Sequence, residues 1–139
     1  MRELPRQLSV DALAELFSGH TRLVDRLAGT QDPLRDEVAL EAPEDEQVEA
    51  LAAHPRIGER SPEQRGDEAA VLAELAELNR AYEEKFGFRF VVFVNRRSRP
   101  ELLPVLRKRL ARTRAEELET GLRELVAIAR DRWQRGERV

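Results

Sequence analysis

Residues 86–94 read Phe86-Gly87-Phe88-Arg89-Phe90-Val91-Val92-Phe93-Val94 and form the one strongly strand-like stretch of the chain. Aromatic and β-branched residues in such a run favour extended backbone. A sheet needs partner strands, and no second convincing candidate occurs in the 139 residues. We therefore interpret residues 88–94 as an extended connection buried among helices, which predicts an all-α fold class.

The rest of the chain carries helical spacing and helix-end signals. Ser98-Arg99-Pro100-Glu101 and Thr113-Arg114-Ala115-Glu116 are capping boxes, which predict helices to about Leu110 and about Trp133. Gly19 and Gly87 are predicted to end helices, and Asp32-Pro33 to begin one. Further helices are predicted over residues 9–18, 21–28, 32–42, 44–52 and 61–86. Residues 1–139 are therefore expected to form one compact domain of about six to seven helices.

Composition excludes several functional classes. Charged residues make up 37% of the chain, against about 25% in typical domains, which indicates much solvated helix surface. The chain has no cysteine, which excludes disulfides, thiolate catalysis and cysteine zinc sites, and it has two histidines, too few for a multi-histidine metal site. A net charge of −3 gives no bulk attraction to nucleic acid or membranes. Because no apolar membrane span or signal peptide is apparent, we expect a soluble, cytoplasmic protein.

His54 and Glu63 are the candidate catalytic pair. His54 lies in an irregular stretch before Pro55, and Glu63 follows nine residues later in the first turn of a predicted helix. An imidazole titrates near neutral pH, and a helix N-terminus favours an ionised carboxylate. Such a pair can move protons, with the carboxylate orienting the imidazole. The structural alternatives are an ordinary loop histidine and a glutamate that stabilises a helix start.

Four other features allow both a structural and a functional interpretation. Asn79 is either a core amide or a clamp on the extended segment, whereas Tyr82 is expected to pack in the core. Arg130 and Arg132 either complement the dipole at the C-terminal end of the last helix, or one of them binds a carboxylate through two hydrogen bonds from its guanidinium. The basic residues between Arg96 and Arg114 form either a helix face that pairs with acids from Glu116 onward or a nucleic-acid surface.

Several motifs, taken together and in order, resemble one known family. The motifs are His54-Pro55-Arg56-Ile57-Gly58, Ser61 to Gln64, Asn79-Arg80-Ala81-Tyr82, Phe86 to Val92, Arg97-Ser98 and Arg107-Lys108-Arg109-Leu110. This pattern resembles the 2-oxo-4-hydroxy-4-carboxy-5-ureidoimidazoline (OHCU) decarboxylases of urate breakdown. The resemblance extends from about Leu13 to Trp133, which is nearly the whole chain.

The resemblance implies a fold, an activity and a set of site residues. The fold is a single helical domain, usually a homodimer that uses no metal or cofactor. The reaction removes CO2 from OHCU, a small molecule, and yields (S)-allantoin. The family's catalytic histidine and glutamate fall on His54 and Glu63. The substrate-binding positions that it implies are Pro55, Ser61, Gln64, Phe88, Phe90, Val91, Val92 and Arg132, with Arg130 as the alternative to Arg132.

The chain also departs from the family pattern. The stretch between Gly58 and Glu63 is shorter than usual, and Ser61 lies two rather than three residues before Glu63. These departures keep open a second hypothesis, in which the chain is an enzyme of the same fold that acts on another ureido or imidazolone acid. The third hypothesis is a helical binding module whose basic segment 96–114 binds nucleic acid or an acidic partner, although nucleic acid is not the expected partner of the chain.

Overall fold

The computed structural model describes residues 3–57 and 67–136, and within these ranges the regular structure is entirely helical. This confirms the all-α fold class and the expected number of helices. The seven helices in the described ranges are α1 (Val10–Leu16), α2 (Arg22–Ala28), α3 (Asp36–Leu40), α4 (Glu44–Ala53), α5 (Asp67–Phe86), α6 (Arg99–Leu110) and α7 (Arg114–Gln134). The predicted start of a helix at residue 61 lies outside the described residues.

The two longest helices organise the packing. Helix α7 packs against α1, α3 and α4, while α5 packs against α6. Both capping boxes are present as predicted: Ser98 and Thr113 accept hydrogen bonds from the amides of Glu101 and Glu116, whose carboxylates bond back. Leucines dominate the apolar core, as the low aromatic content requires.

The extended segment, residues 87–94, connects α5 to α6, and its centre is buried as predicted, whereas Phe93 is half-buried and Gly87 and Val94 are exposed. Phe88, Phe90, Val91 and Val92 are each at most 5% exposed. Gly87 has a φ of 80°, a conformation that glycine adopts without penalty, and it ends α5 at Phe86. No strand pairs with the segment in the described part of the chain.

Two predicted helix ends are wrong. The left-handed residue after α1 is Ser18, with a φ of 66°, and not Gly19. Gly19 donates its amide to the Ala14 carbonyl, and a Cβ on it would lie 3.2 Å from the Cβ of Ala53. Gly19 therefore serves the close approach of the loop between α1 and α2 to the end of α4, and not the left-handed turn.

The predicted helix start at Asp32-Pro33 is also wrong. Asp32 has a φ of 54°, whereas an N-cap residue needs extended backbone. Its amide donates to the Arg6 carbonyl, and its carbonyl accepts from the Arg35 amide, which closes a turn. Helix α3 therefore begins later, at Asp36.

A buried carboxylate joins four parts of the fold. Glu117 on α7 is fully buried and accepts hydrogen bonds from Tyr82 Oη at 2.6 Å, Arg109 Nε at 2.7 Å and Arg112 Nη1 at 2.8 Å. Burial raises the pKa of Tyr82, so its phenol stays protonated and donates. Arg109 also donates Nη1 to the Val91 carbonyl at 2.8 Å. The carboxylate thus links α5, α6, α7 and the extended segment.

Replacing Glu117 with alanine (Glu117→Ala) is expected to lower the free energy of unfolding by about 3–5 kcal/mol, because Arg109 would remain buried without its counter-ion. Urea denaturation followed by circular dichroism measures the loss. Glu119→Ala is the matched control, since Glu119 lies on the same helix and forms an exposed pair with Arg123. Equal losses in the two variants would contradict the assignment.

Candidate functional site

His54 lies directly after the last residue of α4. Its backbone is extended, with φ −81° and ψ 137°, as expected for a residue before proline. The amide of His54 still donates to the Leu51 carbonyl at 3.2 Å, so the helix and the histidine are joined by a backbone bond. The imidazole is therefore carried by a rigid helix end.

The contacts of the His54 ring define its tautomer. Nδ1 lies 3.0 Å from the Pro55 carbonyl oxygen, which can only accept a hydrogen bond, so Nδ1 carries the proton. Nε2 is buried and has no hydrogen-bond partner among the described residues. Burial lowers the pKa of His54, the bond to Pro55 opposes this, and the charges of Arg132 and Arg89 lower the pKa further. The resting imidazole is therefore neutral near pH 7, with Nε2 as a proton acceptor.

A cavity of about 570 Å³ lies beside His54. Its walls come from the loop after α4, the extended segment and the first turn of α6. The described lining residues are His54, Pro55, Arg56, Ile57, Phe90, Val91, Val92, Val94, Arg97, Ser98, Arg99, Pro100 and Leu102. Every charged side chain among these lining residues is an arginine. The cavity therefore suits a small anionic molecule with apolar faces.

His54 also lines a second, smaller cavity of about 310 Å³. Arg132 lines this cavity with His54, which places the predicted arginine of α7 near the imidazole. Its Nη1 donates to the Leu16 carbonyl at 2.9 Å and to Ser18 Oγ at 2.8 Å. Arg130 instead donates to the Leu34 carbonyl and to Asp36, outside the lining of either cavity. Of the two candidates, Arg132 is the one beside His54.

Helix α5 holds the loop that follows His54. Asn79 Nδ2 donates to the Ile57 carbonyl at 3.2 Å, and Glu83 accepts two hydrogen bonds from Arg56 at 2.7 and 3.0 Å. Asn79 is thus a buried backbone clamp, but it clamps the loop rather than the extended segment. Tyr82 lies in the core, as predicted.

The structure brings together part of the predicted site. Pro55, Phe90, Val91 and Val92 line the larger cavity with His54. Phe88 lies elsewhere, because its ring packs against Tyr82 and Phe86 and beneath the Arg114 guanidinium. Glu63, Ser61 and Gln64 lie outside the described residues, so their predicted roles stay predictions.

Sequence reasoning assigned Arg97 and Arg99 to a basic segment and missed their position at the cavity wall. The available signal was their position where the extended segment meets the capping box of α6, with Arg97 just before the box and Arg99 within it. Other arginines of the segment form ion pairs: Arg107 with Glu74, Arg114 with Glu44, and Arg109 and Arg112 with Glu117. These pairs favour the structural interpretation of the segment over a nucleic-acid surface.

The described residues contain neither a candidate membrane span nor a candidate metal site. None of the described helices is long and apolar enough to cross a membrane. No group of three or more histidine, aspartate or glutamate side chains in the described ranges could hold a metal ion.

Comparisons with known proteins agree on one family. Residues 1–134 match the family model described as OHCU decarboxylase. The 2-oxo-4-hydroxy-4-carboxy-5-ureidoimidazoline decarboxylase of Haloferax volcanii is 29% identical over 140 residues, covering 86% of this chain and 83% of that protein. The uric acid degradation bifunctional protein TTL of Arabidopsis thaliana is 34% identical over 98 residues, covering 58% of this chain but only 30% of that longer protein.

A solved structure extends the likeness to the fold. The crystal structure of OHCU decarboxylase in the presence of (S)-allantoin superposes with a TM-score of 0.67 and 26% sequence identity. The match covers 87% of this chain and 94% of that chain. The helical arrangement described above is therefore shared over nearly the whole length of both.

The tautomer and burial of His54 predict its titration. We expect the His54 ring to titrate below the usual histidine value of about 6.5, because burial and two nearby arginines disfavour the imidazolium. A proton–nitrogen NMR titration of the imidazoles measures this, and His54→Gln identifies which signals belong to His54. A His54 titration at or above the usual value would contradict the described surroundings.

Proposed function

Because the chain belongs to the OHCU decarboxylase family, we propose that it removes CO2 from OHCU and releases (S)-allantoin in urate degradation. The observation that carries the proposal is the neutral His54 at the wall of a cavity whose described charged residues are all arginines. We propose that residues 1–139 form one OHCU decarboxylase-like helical domain.

The charge of the cavity matches the charge of the substrate. OHCU carries a carboxylate, and Arg97 and Arg99 line the larger cavity together with Arg56, whose guanidinium is paired with Glu83. Guanidinium groups bind carboxylates through paired hydrogen bonds and keep their charge at any working pH. Phe90 and Val92 supply an apolar wall for the flat ring of the substrate. We propose that these groups orient the carboxylate and keep water from the reacting carbon.

Decarboxylation breaks the bond between the ring and the carboxylate. The electron pair of that bond passes into the conjugated ureido-imidazoline ring while CO2 leaves, so the ring itself accepts the charge without a cofactor. Formation of allantoin then requires one proton on a ring carbon. The reaction therefore takes up one proton for each CO2 released, and delivery of that proton to one face sets the S configuration.

His54 is the group proposed to handle this proton. Its Nδ1 is committed to the Pro55 carbonyl, so Nε2 accepts and later donates. A lowered pKa keeps the resting ring neutral and makes the transient imidazolium a stronger acid. Arg132, whose positive charge acts on His54, would favour return of that proton and hold a substrate oxygen. Glu63 would orient His54 or bond the substrate, with Ser61 and Gln64 beside it.

The family resemblance extends the proposal beyond the site. We propose that the enzyme works as a cytoplasmic homodimer without a metal or cofactor. Size-exclusion chromatography with light scattering tests the dimer, and activity after exhaustive treatment with a chelator tests the independence from metal.

The decisive test of the function uses freshly generated OHCU and follows chiral allantoin by circular dichroism. The wild-type protein is expected to accelerate the appearance of (S)-allantoin, and His54→Ala to lose about 100-fold or more of that acceleration, since it removes the proton-transfer group. His20→Ala is the control, because His20 is an exposed residue bonded to Asp25 and is expected to leave the rate unchanged.

Two results would count against this function. A wild-type rate no faster than the spontaneous reaction would reject OHCU as the substrate and favour another ureido or imidazolone acid. Equal losses in the His54 and His20 variants would reject the assigned role of His54.

A further inference from the structure

We infer that Arg89 is a positioning residue for His54, because its guanidinium ties the extended segment to the backbone that carries the imidazole. Arg89 Nη1 donates to the Ala52 carbonyl at 2.7 Å and to the His54 carbonyl at 2.8 Å. The kinetic part of this inference rests on the proposed function, whereas the structural part concerns His54 alone.

Arg89 closes the C-terminal end of α4. The last carbonyls of a helix have no partner within the helix, and they carry the negative end of its dipole. Ala52 lies in the last turn of α4, and His54 is the residue after the helix. One cationic nitrogen therefore satisfies a helix carbonyl and the carbonyl of the candidate catalytic residue together.

The place of Arg89 in the extended segment makes this contact rigid. Its neighbours Phe88 and Phe90 are 4% and 1% exposed, so the backbone of Arg89 is fixed between two core side chains. Phe90 also lines the larger cavity with His54. Arg89 thus sets the distance between the two walls of the cavity, the histidine loop and the extended segment.

The charges around His54 determine how loss of Arg89 would change the pKa of His54. From the extended segment His54 faces Arg89, and from α7 it faces Arg132. The other charged residues that line the two cavities are Arg56, Arg97, Arg99, Arg96 and Arg135, and no acidic side chain lines either cavity in the described ranges. Loss of Arg89 removes a cation that disfavours the imidazolium, and a loosened loop admits water. Both effects raise the pKa of His54.

The test compares Arg89→Gln, Arg89→Lys and Arg114→Gln. Glutamine keeps a hydrogen-bond donor but loses the charge, whereas lysine keeps both a charge and donors. Arg114 is the matched control, because it also donates to the last carbonyl of a helix, Phe86 on α5, beside the same extended segment. It lies outside the lining of both cavities that contain His54.

The primary measurement is the NMR titration of the His54 ring, which needs no substrate. Arg89→Gln is expected to titrate at higher pH than wild type, whereas Arg89→Lys and Arg114→Gln are expected to follow wild type. In the wild-type protein the nitrogen-15 signal of Arg89 Nε is expected to shift as His54 titrates. A His54 titration unmoved in folded Arg89→Gln, or a flat Arg89 signal in wild type, would overturn the inference.

The kinetic measurement is the pH dependence of kcat and KM with OHCU. Arg89→Gln is expected to lower kcat about tenfold or more with little change in KM, because the imidazole is displaced from its working position. Its low-pH limb is expected to move to higher pH, and Arg89→Lys to restore most of kcat. Absence of OHCU turnover in the wild type would reject the proposed function, while the NMR titration would still decide the role of Arg89.

Discussion

The fold depends on satisfying the backbone of an extended segment that pairs with no strand within residues 3–57 and 67–136. Buried amide and carbonyl groups must find hydrogen bonds, and a lone segment among helices cannot find them in a sheet. Here side chains supply them. Arg109 donates to the Val91 carbonyl, Arg97 donates to the Phe93 and Val94 carbonyls, and Glu124 accepts from the Phe93 amide at 3.0 Å.

Arginine has the right shape for this task. Its planar guanidinium carries five N–H donors and remains charged when partly buried. Its long side chain reaches backbone carbonyls that have no backbone N–H within hydrogen-bond distance. Of the 24 basic residues, 22 are arginines. Several of them bond the carbonyls at helix ends: Arg132 bonds that of Leu16, Arg114 that of Phe86, and Arg89 that of Ala52. The contacts that complete the fold and those that surround His54 are therefore made by the same residue type.

This shared use of arginine links stability to the chemistry of the site. The Glu117 carboxylate holds Arg109, whose guanidinium lies 4.5 Å from the centre of the Phe90 ring and bonds the Val91 carbonyl. Phe90 and Val91 in turn form part of the larger cavity wall. The buried ion pair between Arg109 and Glu117 therefore holds part of the cavity wall in place. The arginines that line the cavity give it its positive charge. A neutral histidine in that field suits the proton transfer that we propose for the decarboxylation.

The sequence by itself determined the features that depend on neighbours along the chain. The capping boxes at Ser98 and Thr113, the end of α5 at Gly87 and the buried extended segment follow from local backbone chemistry, and the structure agrees with each. The order of motifs around His54 and Phe86 was sufficient to indicate the family. His54 was a candidate because an imidazole in an irregular loop can transfer protons, and the family resemblance then assigned it the catalytic role, which stays a prediction.

Only the tertiary structure decided features that depend on distant contacts. Asp32-Pro33 fits both a helix start and a turn, and its bond to Arg6 selects the turn. Arg130 and Arg132 lie two positions apart on α7 and bond different parts of the fold, so the packing of α7 against α1 and α3 decides which one lines a cavity with His54. The tautomer of His54 depends on where the Pro55 carbonyl lies, and the role of Arg89 depends on a contact across 37 residues of chain. Local propensity carries no information on such contacts, because their geometry exists only once the helices are packed.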